Sequence, residues 1–116
     1  MLAQYLEFSN EDRDENGNIT LDVSNYDYCL AQPIGGAITT ISSTIDSGAI
    51  TGISDGNATS ATNFATAAAL RVSTGNTYVT TIASGEIGKL NVVGRYVRFN
   101  CANAMTKLLV MLTKIS

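Results

Sequence analysis

Turn signals interrupt this chain about every 8 to 12 residues, and β-branched and aromatic residues fill the stretches between them. Periodicity at 3.6 residues, the mark of an amphipathic helix, is nearly absent. A chain broken this often has no room for helices of ordinary length. It can satisfy its backbone only by pairing many short strands. The expected fold is therefore all-β: a single antiparallel β-sandwich of jelly-roll type. With 116 residues the chain is long enough for one such domain, over 1–116, and too short for two. Residues 1–18 read as an N-terminal strand followed by an acidic loop, a segment that could serve as a docking arm.

"LAQYLEF" (2–8) alternates Leu2, Gln4, Leu6 and Phe8 on one side, while Tyr5 keeps the other side partly apolar. "SNEDRDENGN" (9–18) is a charged loop containing an Asn-Gly turn signal. "ITLDV" (19–23) alternates cleanly, with Ile19, Leu21 and Val23 inward. "YCLAQPI" (28–34) is a strand that Pro33 should end or confine to a sheet edge. "AITTISSTI" (37–45) spaces its isoleucines irregularly, which implies a bulge or break near Ser42 and Ser43. "AITGIS" (49–54) reads as a further strand, and "DGNATSATNFATAAA" (55–69) as a long loop or a short helical turn around Phe64. Strands are expected again over 69–74, 77–84, 88–93, 95–101 and 107–115.

The chemistry on offer is limited. The net charge is −3 with seven basic residues, so there is no electrostatic footprint for nucleic acid. No apolar run approaches the roughly 20 residues that span a bilayer, so no membrane partner is expected, and the N-terminus lacks the form of a signal peptide. Histidine is absent. That removes the imidazole base of the familiar serine and cysteine nucleophiles, and the carboxylates cluster in one loop rather than in spaced pairs. An enzyme is not expected. Cys29 and Cys101 read as buried free thiols, with a bridge between their strands as the alternative.

Three sets of residues could form sites. In "DRDENGNITLDV", Asp12, Asp14 and Asn16 stand at positions one, three and five of a calcium-loop pattern, with Gly17 at six. Val23 occupies position twelve, where a bidentate Glu belongs. No cofactor is expected, and any calcium held here should be weak, with Asp22 as the substitute carboxylate. In "YVRFNC" strict alternation points Val97, Phe99 and Cys101 inward, leaving Tyr96 and Arg98 outside as a face for a partner or a sugar, or as an ordinary solvated surface. In "KLLVMLTKI", Leu108, Val110 and Leu112 share one face, while Leu109, Met111 and Ile115 share the other. One set can fill a sandwich. The second needs cover, either from 2–8 or from another molecule, and an intermolecular interface is the expectation.

Two stretches carry a resemblance. "ITLDVSNYDYCLAQ" runs from an apolar strand through Asp-x-Ser-x-Tyr-Asp to a second strand. "GEIGKLNVVGRYVRFNCANAMTKLLVMLTKI" leads through Gly-Arg-Tyr-Val-Arg-Phe and a small-residue turn to a closing apolar strand. Together they resemble small β-sandwich proteins of tailed-bacteriophage particles: head-decoration, head-fibre and tail-accessory modules with folds like the galactose-binding jelly roll. The resemblance implies a structural virion protein, assembled in the host cytoplasm. Such a protein associates with itself and with capsid or tail proteins. The alternative is a carbohydrate-binding or receptor-adhesion module that recognises a host surface glycan, using the loops over 55–64 or the Tyr96 and Arg98 face.

Overall fold

The computed structural model describes residues 2–45, 63–91 and 95–115. Ten strands occur there: β1 (Leu2–Ser9), β2 (Asn18–Asp22), β3 (Tyr28–Ile34), β4 (Ile38–Thr44), β5 (Ala65–Thr66), β6 (Ala69–Arg71), β7 (Thr77–Val79), β8 (Gly88–Leu90), β9 (Tyr96–Cys101) and β10 (Lys107–Lys114). Among the described residues the helical content is one 3-10 turn, Asn10–Asp12. The strands form a six-stranded sheet, β1-β10-β3-β8-β6-β7, and a four-stranded sheet, β2-β9-β4-β5.

The ladders explain how the two sheets arise. β1 pairs with β10, β2 with β9, β3 with β8 and β4 with β5, all antiparallel. These pairs are nested, as in one long hairpin whose arms run from the chain ends inward. Rolling that hairpin on itself creates the remaining contacts, β10 with β3 and β9 with β4. This is the jelly-roll arrangement. The β6–β7 hairpin is an addition that widens the larger sheet beyond β8.

The core lies between the inner faces. Ile19, Leu21, Val97 and Phe99 from the smaller sheet pack with Leu108, Val110 and Leu112 from the larger one, and Val23 joins them within one buried cluster. Phe8 from β1 joins it. Cys29 and Cys101 lie in different sheets, both buried and both free. Burial pushes each thiol up to about 12; for Cys101 the nearby Arg13 pulls weakly the other way.

Several expectations change in the structure. β3 spans Tyr28–Ile34 as expected and ends one residue past Pro33, but it lies in the sheet interior and not at an edge. The Pro33 carbonyl accepts from the Gly85 N–H at 2.7 Å, so its ring nitrogen faces that same side, past the last β3–β8 pair at Ala31 and Gly88. No ladder hydrogen bond is lost there. The irregularity in β4 falls between Ile38 and Thr40, not at Ser42 and Ser43. Ile38 and Ile41 are three residues apart, and an extra residue in the ladder lets both point inward. The segment around Phe64 is not helical; it contains β5 and β6. The strand expected over 49–54 lies outside the described residues.

One close approach holds the sandwich end together. A Cβ on Gly36 would stand 2.5 Å from the Met105 amide nitrogen and 2.9 Å from the Ala104 carbonyl carbon. Both obstacles are backbone. Gly36→Ala should therefore lower stability by about 1–3 kcal/mol, the range for forced overpacking. The midpoint of urea unfolding measures this. An unchanged midpoint would mean that the β9–β10 turn yields freely.

Candidate functional site

β10 is the second strand of the larger sheet, between β1 and β3. Its register places Tyr5 opposite Met111, Met111 opposite Leu30 and Leu30 opposite Lys89. Lys89 in turn lies opposite Leu70, and Leu70 opposite Tyr78. Directly opposed residues point to the same side of a sheet. One transverse row therefore crosses all six strands, with a tyrosine at each end and Met111, Leu30, Lys89 and Leu70 between. Tyr5, Met111 and Tyr78 remain 54%, 40% and 63% exposed.

A second row lies beside the first. Leu109 faces Glu7 on one side and Gln32 on the other. Tyr5, Leu30, Gln32, Ile87, Leu109 and Met111 line a shallow, almost wholly apolar hollow of about 150 Å³. Its polar margin is tied down. Lys107 pairs with Glu7 at 3.2 Å, and the Tyr5 hydroxyl donates to the same carboxylate at 3.0 Å. These two donors hold the Glu7 carboxyl below the usual carboxylate range, the Lys107 contribution being the larger. Lys89 sits over the Tyr28 ring, 4.4 Å from its centroid.

Leu109 and Met111 thus lie where the alternation places them. β1 does not cover them. It pairs edge to edge with β10 and extends the apolar surface through Tyr5. Ile115 stands apart: it follows the end of β10, does not line the hollow, and its N–H donates to an Asp27 carboxylate oxygen at 2.6 Å. Sequence reasoning did not find Leu30, Leu70, Tyr78 and Ile87. They are brought to this face by long-range register, and the one local hint was Tyr5 on the apolar second side of its strand.

The carboxylates of the acidic loop bond to backbone nearby. The Asp12 carboxylate accepts from the Ser9 N–H at 2.7 Å and completes a capping box on the 3-10 turn. The Asp14 carboxylate accepts from the N–H groups of Asn16 and Asn18, each at 2.9 Å. Asn16 offers its main-chain carbonyl to the Asn100 side chain. The two carboxylates are thus engaged with separate backbone segments. Among the described residues no group of three or more acidic, cysteine or histidine side chains could hold a metal ion. Arg13 fastens the loop to the β9–β10 turn, donating to the Cys101 carbonyl at 3.2 Å and to Asn103 Oδ1 at 3.0 Å.

The Tyr96 and Arg98 face needs correction. Tyr96 is buried, at 3% exposure, and Arg98 is half-buried. The alternation does put both on the outer side of the smaller sheet, but that side is covered. Arg98 lies 3.8 Å from the centroid of the Phe64 ring and donates to Thr20 Oγ1 at 3.2 Å. The guanidinium is held between neighbours of its own chain. The loop expected to bind a glycan over 55–64 lies mostly outside the described residues.

No protein-family model and no curated protein matches the sequence. A solved structure matches the fold. The crystal structure of SPBc2 prophage-derived protein YomS is similar with a TM-score of 0.55, over 97% of this chain and 95% of that one, at 10% sequence identity. The likeness is one of fold.

Proposed function

We propose that this protein is a structural component of a bacteriophage particle, a capsid decoration or auxiliary protein that self-associates and attaches to the particle. The attachment surface is the outer face of the larger sheet, and the role is mechanical rather than catalytic. The observation that carries the reading is the transverse row from Tyr5 through Met111 and Leu30 to Tyr78, a partly exposed and mostly apolar surface with aromatic ends, interrupted by Lys89 where it lies over the Tyr28 ring. Contiguous patches of this kind mark interaction sites, and tyrosine and methionine are enriched in them. The match in fold to a prophage-derived protein over nearly the whole chain supports the phage setting. No metal or cofactor takes part in this role.

The test is direct. Particles are purified by density gradient from a host that expresses the gene during phage production, and their proteins are identified by mass spectrometry. The protein should band with intact particles at a fixed stoichiometry. If it stays in the soluble fraction and instead binds glycans on an array, the adhesion reading replaces this one.

A further inference from the structure

The four outer strands of the two sheets differ in length. β7, β2 and β5 have 3, 5 and 2 residues, whereas β1 has 8. Short edge strands protect a sheet from pairing with other chains, as do proline, lysine and bulges. β1 has none of these. Its ladder with β10 runs without a register shift from Leu2 to Ser9, and its sequence, LAQYLEFS, contains neither proline nor lysine. Its one charge, Glu7, is held on the outer face by Lys107. Among the described residues no strand pairs with its free side.

We propose that two copies of this chain join β1 to β1, antiparallel about a two-fold axis through Tyr5, so that their two six-stranded sheets become one. The proposal rests on the self-association read above and supplies its geometry. A two-fold axis perpendicular to the sheet keeps both outer faces on the same side. Opposed residues must then point the same way, which excludes every register shifted by one residue. Centring on Tyr5 sets Leu2 against Phe8 of the second copy, Ala3 against Glu7 and Gln4 against Leu6.

Two observations favour that register and a second copy as the occupant. The two Glu7 carboxylates end up four residues apart along the ladder, about 14 Å, beyond the screening length at physiological salt. Centring on Glu7 would oppose them directly. The Tyr5 register also joins the transverse rows of both copies end to end, from Tyr78 of one to Tyr78 of the other. A single broad surface results on one side of the pair, apolar apart from one Lys89 in each copy.

The test uses the full chain carrying Tyr5→Cys or Ala3→Cys, treated with a bifunctional thiol reagent spanning about 5 Å, enough for directly opposed residues. Cys29 and Cys101 are buried and stay silent. Tyr5→Cys should give a cross-linked dimer. Ala3→Cys alone should give none, and a mixture of Ala3→Cys with Glu7→Cys should give the heterodimer. Sedimentation of the unmodified chain is run alongside. A chain that self-associates in sedimentation but fails to link at Tyr5, or links equally well at Ala3, overturns the β1 pairing and leaves self-association standing. A chain that remains monomeric at every concentration overturns both. Cross-linking to a strand of another protein in place of a second copy overturns the choice of occupant.

Discussion

Phe99→Ala should destabilise the protein by about 3–5 kcal/mol, the range for truncating a buried aromatic side chain. Phe99 is 0% exposed and lies on the central strand β9, with Ile19 opposite it on β2 and Ile41 on β4. All three point into the space between the sheets. Neither neighbour can collapse into the vacated volume without disturbing its own ladder, so most of the cavity should persist. A loss of this size is a large part of the roughly 5–15 kcal/mol that holds a domain folded. Guanidinium unfolding monitored by circular dichroism measures it. A change below about 1 kcal/mol would place Phe99 outside the core.

Alkaline conditions should weaken the fold through the two thiols. In the unfolded chain a thiol ionises near its ordinary value of 9.0, whereas burial pushes Cys29 and Cys101 up to about 12. Between those values the unfolded state has released its proton and the folded state has not. Stability is therefore complete below pH 9 and falls as pH rises. At pH 10.5 the expected loss is about 2 kcal/mol per thiol and about 4 kcal/mol for both. Comparing unfolding free energies at pH 8 and pH 10.5, under reducing conditions, tests this. Cys29→Ala should retain about half of the pH dependence. If a variant lacking both thiols loses as much as the parent, other groups carry the effect.

The inner faces were readable from alternation alone. Ile19, Leu21 and Val23 are buried as expected, and so are Val97, Phe99, Leu108, Val110 and Leu112. A period of two is a local property, and one clean strand displays it. Tyr96 shows what alternation leaves open. The pattern assigns a residue to a side of the sheet, but whether that side is covered depends on distant chain such as Phe64, stacked on Arg98. β5 and β6 have two and three residues, too few to show any period, and pairing with β4 and β8 is what makes them strands. In the acidic loop Asp12 and Asp14 have calcium-loop spacing. The same spacing suits a capping box followed by a tight turn, and the carboxylates form those. The row from Tyr5 to Tyr78 exists only through the register of six strands, of which the sequence displays one fragment at a time.

The outer face of the larger sheet is the proposed contact with the particle. Leu109 and Met111 lie on it, and burying two such side chains offers about 1.5–3 kcal/mol each before the costs of association. The deciding measurement is co-sedimentation of a Leu109→Lys, Met111→Glu double variant with particles prepared without the protein. Both substitutions fall on the partly exposed side of β10, so the variant should fold and melt close to the parent. It should also fail to sediment with particles that the parent decorates. A folded variant that decorates particles as well as the parent would contradict the account. So would a variant that cannot fold, because the face would then belong to the core.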